Sequence, residues 1–175
     1  MRLDLSKIRT AHERYEKVYS PEAFASENET FRVVAPVSLE FDIEKDKEHF
    51  KLFGGVKTVL ELPCSRCLEP FTIAVDAPFD LRYQPRAENA GEGEREIEDD
   101  DLTTAFYDNE EIDLGQLMRE QFYLAVPMKP LCAESCRGLC PVCGTNLNAG
   151  TCSCTQRWED PRLAALKALS RKGDA

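Results

Sequence analysis

Histidine is scarce in this sequence, with two among 175 residues, and tryptophan occurs once. His12 and His49 stand far from any cysteine, so a histidine-based metal or acid–base centre has little material to work with. Long apolar runs are missing as well. The longest is the five residues 122–126, and the opening MRLDLSK carries a charge every few positions, so neither a membrane span nor a signal peptide is expected. No glycine-rich phosphate loop is present. Positive charge is the minority: 22 Lys+Arg against 32 Asp+Glu give a formal net charge of −10, which argues against a general polyanion binder. The acidity is concentrated. Residues 88–101 hold eight acids and one arginine, whereas residues 127–175 hold seven basic and four acidic residues, so the chain ends can still meet RNA.

What is present is a half-buried strand pattern. Within 31–43, Val33, Ala35, Val37, Leu39, Phe41 and Ile43 alternate with mostly polar residues, and Pro36 favours an edge position. Phe50, Leu52, Val56, Thr58, Leu60 and Leu62 form a second run, with Gly54-Gly55 read as a bulge or tight bend. Phe71, Ile73, Val75, Ala77, Phe79, Leu81 and Tyr83 form a third. Three long strands in succession imply an antiparallel β-meander, with the PCSRC sequence at 63–67 at a hairpin tip.

The period changes at Asp113. Leu114, Leu117, Met118, Phe122 and Ala125 share one helical face, Asp113 with Gln116 resembles a capping box, and Pro127 lies beyond the end. A second helix is expected from Asp160-Pro161 through Leu163, Leu166 and Leu169, and a third within 6–19. The fold class is therefore α+β: an antiparallel β-meander core with a few helices and a C-terminal Cys-rich zinc-knuckle module. Residues 1–126 form the β-rich core, with an acidic loop at 85–112 and a helix at 113–125. Residues 127–175 form the cysteine-rich module and last helix, packed on the core as one unit.

Cysteine is the excess, with eight residues in four pairs: Cys64/Cys67, Cys132/Cys136, Cys140/Cys143 and Cys152/Cys154. In a chain read as unsecreted and cytoplasmic, thiols at short spacing more often hold metal than form disulfides. Eight thiolates suit two tetrahedral four-cysteine zinc sites, and Cys140-Pro-Val-Cys143-Gly144 is the strongest local signal. Four pairs can be grouped in three ways. Joining Cys140/Cys143 to Cys152/Cys154 closes a short polar loop and leaves Cys64/Cys67 with Cys132/Cys136, which is the preferred grouping. The competing one joins Cys132/Cys136 to Cys140/Cys143. A redox dithiol fits antiparallel surroundings poorly. An iron–sulfur cluster shares the thiolate requirement.

Four stretches, CSRCLEPF at 64–71, AVPMKPLC at 125–132, CRGLCPVCGTNLN at 136–148 and DPRL at 160–163, resemble the bacterial YceD family of large ribosomal RNA subunit accumulation proteins. The resemblance covers roughly residues 30–172. It implies a role in the synthesis, processing or stability of 23S ribosomal RNA with no known catalytic activity, so the chain is not expected to be an enzyme.

The partner is then a 23S rRNA precursor or a large-subunit ribosomal protein, with no small-molecule substrate and no membrane. Basic and stacking candidates are Arg66, Lys129, Arg137, Arg157, Trp158, Arg162, Lys167, Arg171 and Lys172. The competing class is a zinc-stabilised protein-interaction adaptor without direct RNA binding.

Overall fold

The computed structural model describes residues 1–25, 30–86 and 104–154. The acidic run 88–101, the helix expected from Asp160, and Arg157, Trp158, Arg162, Lys167, Arg171 and Lys172 lie outside the described residues.

The alternating runs form the sheet. Strands β1 (Arg2–Asp4), β2 (His12–Tyr19), β3 (Arg32–Val33), β4 (Val37–Asp46), β5 (His49–Pro63), β6 (Pro70–Pro85), β7 (Thr104–Tyr107) and β8 (Glu111–Asp113) precede one α-helix, α1 (Leu114–Ala125). Short 3-10 turns occupy Leu5–Lys7 and Pro21–Phe24. The main sheet runs β2-β4-β5-β6-β7, with β3 also on β5, and β1 pairs with β8 in a separate ribbon.

The meander is β4–β5–β6. Beyond it β2 adds antiparallel to β4, while β7 joins β6 in parallel, so the sheet is not a pure antiparallel meander. No helix among the described residues is long and apolar enough to cross a membrane.

Period two sets the buried face. Val37, Leu39, Phe41 and Ile43 from β4, Leu52, Val56, Leu60 and Leu62 from β5, and Val75, Ala77 and Phe79 from β6 all turn into one core. Helix α1 closes that face with Leu114, Leu117, Met118 and Phe122. Phe24 and Phe31 meet Phe122 edge to face, at centroid distances of 5.6 and 6.0 Å. Ala125, expected on the buried side, is exposed at the end of the helix.

Several expectations are corrected. Residues 6–19 contain no α-helix. His12–Tyr19 is strand β2, whose cross-strand partners on β4 include Phe41 opposite Tyr15, with stacked rings 5.2 Å apart. Pro36 does not mark an edge strand: it lies in the break between β3 and β4, and β4 is interior. A proline offers no N–H, so the ladder restarts at Val37, and the buried Thr58 hydroxyl donates to the Ala35 carbonyl at 3.1 Å across this break.

Gly54-Gly55 is no bulge, since the β4–β5 and β5–β6 registers continue through it. Gly54 sits opposite both Phe41 and Phe79, and a β carbon there would lie 2.5 Å from Phe41 Cα. Close strand approach, not a turn, is what requires glycine here. Within 85–112, read as loop, residues 104–107 form β7 and residues 111–112 open β8, which runs on to Asp113.

Asp113 does cap α1, accepting from the N–H groups of Gly115 at 2.8 Å and Gln116 at 3.1 Å. The reciprocal arm of a capping box is absent, because the Gln116 side chain donates to Glu120 instead.

Candidate metal centres

The paired alternation of β5 and β6 carries their register to Pro63 opposite Pro70, so 64–69 form a tight hairpin tip. Within it the Cys64 N–H donates to the Glu69 carbonyl at 2.9 Å and the Leu68 N–H to the Cys64 carbonyl at 3.0 Å. Leu68 takes a positive φ of 62° to complete the turn. These bonds turn Cys64 and Cys67 to the same side.

Pro127 ends α1, and the following segment runs back to the tip, where the Ser65 N–H donates to the Pro130 carbonyl at 2.8 Å. Cys132 and Cys136 thereby face the hairpin pair. Phe71 and Leu131 pack around the buried Cys64, Cys67 and Cys136.

Two sets of four thiols result. Cys64, Cys67, Cys132 and Cys136 form one, and Cys140, Cys143, Cys152 and Cys154 the other, each with all sulfurs within 4.8 Å of one another. This is the preferred grouping of the four pairs. In the first set Cys64 Sγ lies 3.8 Å from Cys136 Sγ, and Cys67 Sγ lies 3.8 Å from Cys132 Sγ. A tetrahedron with metal–sulfur bonds of about 2.3 Å has edges of about 3.8 Å, so this spacing suits a single four-coordinate ion.

Electrostatics favours a cation. The Cys132 N–H (3.5 Å) and the Arg66 N–H (3.4 Å) point at Cys64 Sγ, and amide donors pull this thiol down to about 6. Beside it, Cys132 is pushed up to about 12, chiefly by its contact with Cys136 and by desolvation. In the second set the Thr145 hydroxyl, 3.1 Å from Cys143 Sγ, and the Thr145 N–H bring Cys143 down to about 6, while Cys143 in turn pushes Cys154 up to about 12. Cys64 and Cys136 in the first group and Cys143 in the second ionise more readily, while Cys67 and Cys132, and Cys152 and Cys154, resist ionising beside them. A divalent cation at the centre removes that repulsion, so each group can hold a metal ion.

The second group rests on a knuckle that begins at Gly138. Its φ of +73° and the Arg66 carbonyl, 3.0 Å from where a β carbon would lie, both require glycine. Leu139 N–H donates to that same Arg66 carbonyl at 3.1 Å. Cys140 N–H donates to the Thr145 carbonyl at 2.8 Å, and Gly144, at φ +74°, returns its N–H to the Cys140 carbonyl at 2.9 Å.

Among the basic candidates, Arg66, Lys129 and Arg137 are described, and all three are exposed. Arg66 has a structural engagement that its sequence position did not reveal. One guanidinium nitrogen, Nη1, donates to the carbonyls of Glu134 at 3.1 Å and Cys136 at 2.9 Å. Asn148 was also missed as a site residue: its Nδ2 lies 3.3 Å from Cys136 Sγ. The NLN run after the Cys140-to-Gly144 turn was the available signal, since asparagine side chains readily bond to neighbouring backbone.

Residues 52–170 match the family model described as large ribosomal RNA subunit accumulation protein YceD. A chloroplastic large ribosomal RNA subunit accumulation protein YCED homolog 1 of Zea mays is 28% identical over 145 residues, covering 70% of this chain and 50% of the maize protein. The Arabidopsis thaliana protein of the same name is 28% identical over 155 residues, covering 77% and 48%. An uncharacterized protein of Mycobacterium bovis is 28% identical over 155 residues, covering 88% and 72%. The chain thus spans about half the length of the two plant relatives. No solved structure matches it. Because the family match takes in most of the chain and all eight cysteines, the chain belongs to the YceD family.

Proposed function

We propose that this chain is a non-catalytic factor in the synthesis, processing or stability of 23S ribosomal RNA, built around two structural zinc ions. The observation that carries the reading is the gathering of all eight cysteines into two four-thiol groups within a YceD-family chain. The maize and Arabidopsis relatives support it, since their names speak of large ribosomal RNA subunit accumulation.

Cys64, Cys67, Cys132 and Cys136 would hold one ion, and Cys140, Cys143, Cys152 and Cys154 the other. Zinc bound by four thiolates supplies folding energy and keeps no open position for water or substrate. Hence the non-catalytic reading. The chain's own residues do the rest: the hairpin tip and the segment after α1 are clamped together, and the knuckle is set beside them.

Lys129 and Arg137 stand exposed on this assembly. Together with Arg66 and with Arg157, Trp158, Arg162, Lys167, Arg171 and Lys172, which lie outside the described residues, they are the residues assigned to contact with precursor 23S rRNA or a large-subunit ribosomal protein upon it. Arginine beside an aromatic ring can hold an unpaired base by stacking. The setting is the cytoplasm, where bacterial large-subunit RNA is made.

Recovery of the tagged protein from cells, with identification of the bound RNA and protein, tests the reading. Enrichment of 23S precursor is expected, with an affinity for its fragments that falls steeply as salt rises. Capture of a protein partner with negligible RNA affinity at modest salt would overturn direct RNA contact in favour of the adaptor class.

A further inference from the structure

Asn148 belongs to the segment that the second cysteine group closes, between Cys143 and Cys152. Its side chain, however, acts in the first group. Nδ2 donates to Cys136 Sγ at 3.3 Å, and Oδ1 accepts the backbone N–H of Arg137, the next residue, at 2.7 Å. One amide group therefore grips a ligand sulfur and the backbone beside it.

Asn148 is itself held by its neighbour. Asn146 Oδ1 accepts from both the backbone N–H and Nδ2 of Asn148, each at 3.0 Å. Asn146 Nδ2 reaches Glu69 Oε1 of the hairpin tip at 3.5 Å. The Leu147 N–H donates to the Gly138 carbonyl at 2.9 Å. The segment thus spans both cysteine groups through polar contacts, while residues 148–151 are exposed and bring no apolar core of their own.

A polar group that donates to a metal ligand fixes its orientation and stabilises its charged form. The segment carrying this donor lies between Cys143 and Cys152, both of the second group, so filling that group ties down both its ends. We propose that the two cysteine groups load metal cooperatively, with Asn148 as the positioning residue that links occupancy of the second group to affinity at the first. This rests on the metal-binding reading above. Filling the second group sets the Asn148 amide against Cys136, and filling the first gives the loop its anchor. The coupling is reciprocal by thermodynamic necessity. The chain then passes between empty and doubly filled forms with little singly filled species, so tip and knuckle assemble in one event.

The test uses the full-length protein stripped of metal and titrated with Cd2+ as the probe. Cadmium-113 NMR resolves the two groups, and competition with a chelator gives each affinity. Asn148→Ala is expected to weaken Cd2+ at the first group about 10- to 100-fold and to shift its resonance, with the second group still filled. Cys152→Ser/Cys154→Ser is expected to weaken the first group similarly while leaving its ligands intact.

Should Asn148→Ala fail to fold, as judged by far-UV circular dichroism, the double cysteine variant and the parent's own binding curve give the same reading. Unchanged affinity at the first group in the variants, or independent filling of two groups in the parent, overturns the link alone. Uptake of Cd2+ at neither group in the parent overturns the metal reading, and the link with it.

Discussion

The backbone N–H of Ser65 donates to the carbonyl of Pro130 at 2.8 Å, joining the β5–β6 hairpin tip to the segment after α1. Little else in that joint is independent of the thiols. The Arg66 guanidinium on the Glu134 and Cys136 carbonyls, the Leu139 N–H on the Arg66 carbonyl and the Asn146 amide on Glu69 complete it, with Phe71 and Leu131 as apolar cover. Cys67→Ser, by removing one ligand, is therefore expected to open the joint and leave the sheet folded. Hydrogen exchange reads this directly. The amides of Ser65, Cys136 and Leu139 should lose protection while those of β4 and β5 keep theirs; retained protection at Ser65 and Leu139 would show that the joint does not depend on the thiols.

Adjacent glycines give a contrast in packing. A β carbon at Gly54 meets Phe41 backbone and side chain at 2.5 and 2.6 Å, whereas one at Gly55 meets nothing closer than 3.6 Å. Gly54→Ala should cost about 3 kcal/mol of stability through forced strand separation. Gly55→Ala should stay within about 1 kcal/mol of the parent. Urea denaturation of the two variants decides it, and equal midpoints would contradict the close approach.

At the helix start, Asp113→Ala should cost about 1 kcal/mol, since it abandons the N–H groups of Gly115 and Gln116. Gln116→Ala should cost only about 0.3 kcal/mol, because its side chain pairs with Glu120 one turn on. Comparable losses in thermal or urea unfolding would restore the full capping box.

The exposed basic residues of this region are of two kinds, Arg66 bonded into the joint and Lys129 and Arg137 at the surface. Arg66→Ala should weaken the joint, whereas Lys129→Ala and Arg137→Ala should each lower RNA affinity and reduce its salt slope by about one. Deleting 88–101, which carries eight acids and one arginine, should leave RNA binding intact or strengthen it, by removing repulsion that acts over a Debye length of about 8 Å. Substituting Arg162, Lys167, Arg171 and Lys172 together should weaken binding. A folded quadruple variant that binds rRNA like the parent would remove that surface from the account.

The core strands were legible because even-numbered apolar residues from Phe50 to Leu62 and odd-numbered ones from Phe71 to Tyr83 repeat at period two, and that pattern also placed Cys64 and Cys67 at a tip. Loop length favoured the observed grouping of thiols but left the competing one open, since only the folded hairpin tip brings Cys64 and Cys67 to Cys132 and Cys136. Strand β2 was not legible, because none of its side chains is buried, five of the eight being exposed and Glu13, Tyr15 and Tyr19 only partly covered, and its stabilisation comes from β4, including Tyr15 against Phe41. The destinations of Arg66 and Asn148 were equally hidden. Both bond to partners on another loop, and only the folded joint brings Arg66 within 2.9 Å of the Cys136 carbonyl.

Elemental analysis of the folded, full-length protein, purified without chelator under reducing conditions, tests the central claim most directly. Two zinc ions per chain and a colourless solution are expected, falling to one ion when Cys143 or Cys154 is replaced by serine and no further when both are replaced. A brown protein containing iron, or a folded protein with eight free thiols and no metal, would contradict it.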